Sequence, residues 1–437
     1  MQEFPRQEFS SRRQQLMRRM QAGVAIIPTA PEVARNRDSH YPYRFDSYFY
    51  YLTGFREPES VLVLVAGPES RSILFCRDKD IEREIWDGFR YGPDAARQAF
   101  GFDEAYSISQ LDELLPKILA NQPALFFSLG ADAGWDGKVS GWLNAVRAQT
   151  RSGIQAPATL VDVRQHLDAM RLVKSPWEMD VMRRSAVIAA SAHNRAMQVT
   201  QPGKREYEIE AEFLHEFYRH GAQAPAYTSI VAGGANACTL HYNANNAALN
   251  DGDLLLIDAG CELNGYASDI TRTFPVNGRF SGPQKDLYEL VLAAQAAAIA
   301  SVNPQQHWNA PHEAALEVLV DGFIHYGLCQ GSREAVLESG SYRQFYMHRT
   351  GHWLGLDVHD AGEYKNPAGD WVMLQPGHVL TVEPGCYVRP ADNVPEHFWN
   401  IGIRIEDDVL VTDRGHEVIT AAAVKSVSEI EALMRSA

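Results

Sequence analysis

Five residues spread over the second half of the chain, Asp258, Asp269, His352, Glu383 and Glu406, are of the types that hold metal ions. Four carboxylates with one imidazole form an oxygen-rich set that suits hard or borderline divalent ions such as Mn2+, Co2+ or Zn2+. Gathered around one pocket, four negative charges would repel one another, and two divalent ions would neutralise them. Each residue also has a plainer reading. Glu406 beside Arg404 reads as half of a surface ion pair, and a single histidine is more often structural than a ligand. The chemistry depends on elements that bring the five together.

The clearest of these elements runs from Asp251 to Pro275. Leu254 to Asp258 is a short apolar run suited to a buried strand, and Asn264-Gly265 is the preferred pair for a two-residue type I′ turn. With that turn, Leu263 faces Tyr266 and Gly260 faces Asp269, so Asp258 and Asp269 become diagonal neighbours on one face. Their Cβ atoms then lie under roughly 7–8 Å apart, too far to share one proton but suited to ions between them. Thr381 to Gly385 (TVEPG) places Glu383 at a strand end before a turn signal. In Asn400 to Glu406 the isoleucines point one way while Gly402, Arg404 and Glu406 point the other, so Arg404 is expected to keep Glu406 ionised.

Three histidines, His348, His352 and His359, crowd the segment from Met347 to Asp360. The spacing of His348 and His352 matches a zinc-protease helix, but that motif needs a glutamate where Arg349 stands. Gly351 and Gly355 also argue against a helix, and the alternation of Leu354, Leu356 and Val358 predicts a strand.

The chain has 437 residues, 45% apolar and 22% charged, which is ample for two or three globular domains. Its 55 acids outnumber 40 bases, for a formal charge of −15, which disfavours a nucleic-acid partner. Five scattered cysteines form no CxxC pair and fit a reducing cytoplasm rather than a disulfide framework. The N-terminus lacks the apolar core of a signal peptide, and no stretch approaches the roughly 18 apolar residues that would span a membrane. Residues 7–20 read as a basic helix, and strand signals at 24–28, 48–51, 61–66 and 73–75 with a helix at 110–119 predict an N-terminal α/β domain. His40, Asp46 and Trp86 stand alone there. Ser175-Pro176-Trp177-Glu178 is a capping box that starts a long helix, and Ser281 to Gln284 repeats the pattern, so the domains are expected at 1–174 and 175–437.

The series DAG…DITRTFPV, HWLGLDVHD, TVEPG and GIRIEDDVLV resembles the pita-bread metallopeptidases, and HWLGLDVHD with VEPGCYV is most similar to their bacterial Xaa-Pro aminopeptidase (aminopeptidase P) branch. YPYRFDSYFYYLTGFREPESVLVL and RLVKSPWE extend the resemblance over nearly the whole chain. It implies an α/β N-terminal domain followed by an α+β pita-bread catalytic domain of two pseudo-symmetric halves. It implies two divalent ions, most simply Mn2+, with Asp269 and Glu406 as bridges, Asp258 on one ion, and His352 and Glu383 on the other. His241 and His359 match substrate-facing histidines, His348 a third histidine near the pocket, and Arg404 an arginine supporting the cluster.

The activity implied is hydrolysis of the bond between an N-terminal residue and a penultimate proline, by hydroxide that the ions make available near neutral pH. Glu383 is then the proton carrier to the departing proline nitrogen. The family's bacterial members are commonly oligomers, so a cytoplasmic homo-oligomer, dimer or tetramer, is expected. Trp86 is a candidate contact with a neighbouring site; the other reading is a core tryptophan. One position departs from the family: the residue after His348 is often small in relatives and here is Arg349, which bears on how residues beyond the scissile bond are held. Rival readings are a prolidase limited to Xaa-Pro dipeptides, and a metal-free pita-bread binding protein.

Overall fold

The computed structural model describes residues 5–436, and contacts divide the chain into two compact units, Met1–Met170 and Arg171–Ala437. The first contains α1 (Arg6–Met20), β1 (Gly23–Pro28), α2 (Ser47–Thr53), β2 (Val61–Ala66), β3 (Arg71–Cys76), α3 (Ile81–Asp87), α4 (Gly92–Phe100), β4 (Glu104–Ser107), α5 (Leu111–Leu119), β5 (Ala124–Phe126), α6 (Ala133–Arg147) and β6 (Thr159–Val161). The strands form one mixed sheet in the order β4-β3-β2-β1-β5-β6. Alternate residues of the central strands (Val24, Ile26, Val61, Val63, Ile73, Phe75) join Leu111, Leu115 and Leu119 of α5 and Val139, Trp142 and Val146 of α6 in one core, the two-layer packing an apolar sheet face requires.

Two expectations in this unit fail. Residues 48–51 are helical, because Asp46 caps α2 by accepting the Phe49 N–H at 2.8 Å and Gly54 closes it in the left-handed conformation. Trp86 is 83% exposed on α3, a helix that buries none of its residues, so it is not a core tryptophan.

Helix α7 (Arg164–Leu172) leads into the second unit. There follow α8 (Pro176–Val199), α9 (Glu206–Arg219), β7 (Ala224–Pro225), β8 (Ile230–Gly233), β9 (Leu254–Asp258), β10 (Cys261–Leu263), β11 (Tyr266–Ala267) and β12 (Thr271–Pro275). The order then repeats: α10 (Gly282–Ser301), α11 (Ala310–His325) and α12 (Arg333–Ser339), then β13 (Val379–Val382), β14 (Gly385–Val388), β15 (Ile401–Arg404), β16 (Asp407–Thr412), β17 (Gly415–Val418) and α13 (Val427–Arg435). Each half thus opens with a long helix, and both capping boxes form, Ser175 with Glu178 and Ser281 with Gln284. No described helix is long and apolar enough to cross a membrane, and all five cysteines are buried and unpaired.

The Asn264-Gly265 turn sets the hairpin register. Both residues have positive φ, 52° and 84°, as a type I′ turn requires. Leu263 pairs with Tyr266 and Asp258 with Thr271, one continuous register. The ladder is interrupted at Gly260, where a Cβ would lie 1.6 Å from the Ser268 carbonyl oxygen. Consequently the two arms pass from the sheet β11-β10-β7 into the sheet β12-β9-β8.

Candidate metal centre

All five expected ligands line one cavity of about 390 Å3, together with His241, His348, His359, Arg349 and Arg404. Asp258 ends β9, Asp269 precedes β12, Glu383 follows β13, and Glu406 lies between β15 and β16. His352 is carried by an irregular segment. The strand expected over 354–358 does not form: the Gly355 N–H turns back to the Asp357 carbonyl at 3.1 Å and the Asp360 N–H to that of Trp353 at 2.9 Å, closing a tight bend.

Backbone contacts join these pieces. The Thr381 N–H donates to the His352 carbonyl at 2.9 Å and the Glu383 N–H to that of Thr350 at 2.8 Å, which fixes both candidate residues to β13. Gly351 permits the approach, since a Cβ there would sit 2.0 Å from the Thr381 carbonyl oxygen. The Glu406 N–H donates to the Thr271 carbonyl at 3.0 Å, bringing Glu406 beside the hairpin. Glu383 itself sits at a bend around Pro384, where the chain leaves the β13 sheet for the β14-β15 pair.

Donor atoms of Asp269, His352 and Glu406 lie within 4.8 Å of one another. His352 Nε2 is 3.4 Å from Asp269 Oδ2 and 3.9 Å from Glu383 Oε1. The Tyr227 hydroxyl spans Asp258 Oδ1 at 2.6 Å and Asp269 Oδ1 at 2.5 Å, while Thr271 donates to Glu406 Oε2 at 2.7 Å.

Burial and mutual repulsion dominate the electrostatics. Desolvation and the charge of Asp258 push the Asp269 carboxyl up. Burial also carries Glu383 up to about 7, and burial with Asp269 and Glu383 nearby takes Glu406 far above the carboxylate range. Arg404 therefore does not hold Glu406 ionised. Its Nη2 instead donates to Asp258 Oδ2 at 2.6 Å, on a strand that is wholly buried rather than at the surface. Burial opposes charge on His352, but the hydrogen bond and charge of Asp269 win and raise its ring to about 9. Protons thus occupy a cluster whose donor types suit cations.

The histidines differ in environment. Burial holds His348 down at about 4, hence neutral. Its Nδ1–H donates to the Arg349 carbonyl at 2.6 Å and its Nε2 accepts from the Tyr387 hydroxyl at 2.9 Å, whose oxygen accepts in turn from Arg404 Nη1 at 2.9 Å. His359 is pushed down by desolvation, and its ring centroid lies 4.3 Å from that of His352. The bend presenting His359 is anchored by the next residue, Asp360, which accepts from Lys174 at 2.9 Å and Arg171 at 2.5 Å in a buried triad. Tyr227 was not legible as a site residue because no motif surrounds it; Thr271 and Tyr387 lie within recognisable stretches, but their roles rest on long-range contacts with Glu406 and Arg404 that local wording does not reveal.

The chain as a whole is similar to known proteins. The model of metallopeptidase family M24 matches residues 180–413, and that of the aminopeptidase P N-terminal domain residues 9–126. The chain is 45% identical to the Xaa-Pro aminopeptidase of Escherichia coli (strain K12), covering 100% of this chain and 99% of that one, and 44% identical to that of Haemophilus influenzae, covering 99% and 98%. The solved structure of Pseudomonas aeruginosa aminopeptidase PepP is similar with a TM-score of 0.98 and 48% identity over 100% of this chain and 99% of that one. Zn-substituted E. coli aminopeptidase P in complex with product is similar with a TM-score of 0.97 and 45% identity over 99% of each chain.

Proposed function

The chain belongs to metallopeptidase family M24, and we propose that its pita-bread domain holds two divalent ions, most simply Mn2+, among Asp258, Asp269, His352, Glu383 and Glu406. It is an aminopeptidase that hydrolyses the bond between the N-terminal residue of a peptide and a penultimate proline. The observation that carries the ligand assignment is the convergence of four carboxyls and His352 on one cavity, with donor atoms of Asp269, His352 and Glu406 within 4.8 Å of one another. Asp269 and Glu406 would be shared by the two ions, Asp258 would serve one, and His352 and Glu383 would serve the other. Bound there, the ions would polarise the scissile carbonyl and lower the pKa of water towards neutrality.

The remaining work falls to the protein's own side chains. The Xaa-Pro bond is a tertiary amide with no N–H, and its nitrogen leaves poorly until protonated. Glu383, which lines the cavity, takes the proton of the attacking water and delivers it to the proline nitrogen. His359, kept neutral, donates an N–H to the developing oxyanion, and His241 holds the peptide backbone. Arg404 keeps Asp258 oriented through their 2.6 Å contact, and His348 is held in one tautomer by Tyr387.

We assign the enzyme to the cytoplasm as a dimer or tetramer in which Trp86, 83% exposed, borders a neighbour's site. The activity is tested with Mn2+-loaded enzyme on Arg-Pro-Pro and Gly-Pro. Release of arginine from the tripeptide is expected; cleavage of Gly-Pro with Arg-Pro-Pro left intact would make it a prolidase.

A further inference from the structure

Arg349 lines the mouth of the cavity and is exposed, and its partners are neutral: the Asn309 side-chain oxygen and the Trp371 ring, 5.0 Å from the guanidinium carbon. Lys365 Nζ approaches the same indole at 4.3 Å. Among the described residues, neither cation has a carboxylate at ion-pair distance, although acids outnumber bases in the chain by 55 to 40. Two like charges gathered on one ring repel each other unless an anion joins them. The other exposed groups of the rim, Thr228, His241, Asn243 and His359, carry no permanent charge. Arg404, the other arginine of the cavity, is committed to Asp258.

We propose that Arg349, reinforced by Lys365, forms a subsite for a carboxylate of the substrate beyond the proline. This rests on the aminopeptidase reading. An enzyme that removes one residue encloses that residue, so only the chain on the far side of the cleaved bond reaches the mouth. A guanidinium already pinned by an amide and an indole loses little freedom on accepting a carboxylate, which it can grip through two N–H groups. The carboxylate is either an acidic side chain after proline or the C-terminus of a tripeptide.

Two peptide pairs distinguish these sources: Ala-Pro-Asp-amide against Ala-Pro-Asn-amide for the side chain, and Ala-Pro-Ala against its C-terminal amide. The wild-type ratio of kcat/KM within at least one pair is expected to favour the carboxylate roughly three- to tenfold, mainly through KM, and to shrink at ~0.5 M salt. In Arg349→Gln that ratio falls to about one, in Arg349→Glu it inverts, and Arg349→Lys retains part of it. Lys365→Gln lowers it by a smaller factor. Circular dichroism of each variant checks the fold. Wild-type ratios near one in both pairs, or ratios that survive Arg349→Gln, overturn the subsite while leaving the aminopeptidase intact. Failure of the metal-loaded wild type to cleave any of the four peptides would overturn the aminopeptidase reading itself.

Discussion

Glu406 and Asp407 are neighbours in sequence and both are buried, yet their surroundings push the two carboxyls in opposite directions. Glu406 faces the cavity, where burial and the carboxyls of Asp269, Glu383 and Asp258 drive its pKa far up. Asp407 faces the core, where Arg272 at 2.7 Å, Lys425 at 2.7 Å, Gln295 at 3.0 Å and Thr420 at 2.8 Å surround it. Burial opposes its charge too, but the cations hold it at about 2. Asp360, between Lys174 and Arg171, follows the Asp407 pattern, with burial overcome by two cations and its carboxyl pushed down. What separates the two regions is not depth but the source of compensating charge. Around Asp407 and Asp360 the chain supplies its own arginine and lysine; among the four cavity carboxyls such a permanent cation is in contact only with Asp258, through Arg404, and the deficit is left to ions from solution.

The strongest way to break this contrast is to remove one acid from each side. Glu406→Ala is expected to abolish activity and lose metal while the metal-free protein melts only slightly below wild type, because a protonated Glu406 gives up little more than its hydrogen bond from Thr271. Asp407→Ala strands Arg272, whose side chain is 0% exposed, and should cost about 3–5 kcal/mol of stability. Metal analysis, activity and thermal melts measured together distinguish the two. A Glu406→Ala enzyme that stays fully loaded and active would remove it from the ligand set, and an Asp407→Ala protein that melts like wild type would dissolve the contrast.

The contrast sharpens with pH. Glu383 titrates near 7 against an ordinary 4.5, and His352 near 9 against 6.5. Both folded-state values are raised, so their stabilisation is full below the ordinary values and is lost as pH rises through the folded ones. The metal-free enzyme should therefore weaken between about pH 4.5 and 9, with Glu383 alone contributing of order 3 kcal/mol. Metal binding requires those protons to leave, so it tightens over the same interval. Melts of loaded and stripped protein from pH 5 to 9 should show a widening gap in Tm; a constant gap would mean that the cavity acids are not the ones the ions relieve.

The two regions also differed in how far they could be read from sequence. The hairpin was legible because its contacts are local: one Asn264-Gly265 turn fixes every pair out to Asp258 and Thr271, and the same holds for the two capping boxes. The five candidate ligands, which line one cavity, were singled out through their local wording. The partner of Arg404 was not. Strand periodicity placed Arg404 and Glu406 on one face, but the ion pair crosses to Asp258, 146 residues away, and no spacing rule reaches that far. Asp407 likewise looked like a continuation of GIRIEDD, since the partners that set its charge come from β12 and from the chain leading into α13. Residues 354–358 were misread because alternation of apolar residues does not show where pairing stops: Trp353 and Leu354 bridge to Leu380 and Val379 of β13, but the chain then turns away. Here Asp360 and its two cations bend it instead.

The mildest perturbation lies where the regions meet. Arg404 is the cation that the fold does lend to the cavity, and Tyr387 holds it by accepting from Nη1 at 2.9 Å while donating to His348 Nε2 at 2.9 Å. Tyr387→Phe removes both hydrogen bonds but leaves Arg404 tied to Asp258 and to Thr271 Oγ1, 3.1 Å from Nε. If compensation comes from charge rather than from the hydroxyl, metal content should stay at the wild-type level and stability should fall by about 1–2 kcal/mol. The turnover should drop by only about tenfold, as His348 loses its fixed orientation. Loss of metal from Tyr387→Phe comparable to that from Glu406→Ala would instead make the tyrosine, not the arginine, the link between the self-compensated core and the cavity that depends on ions.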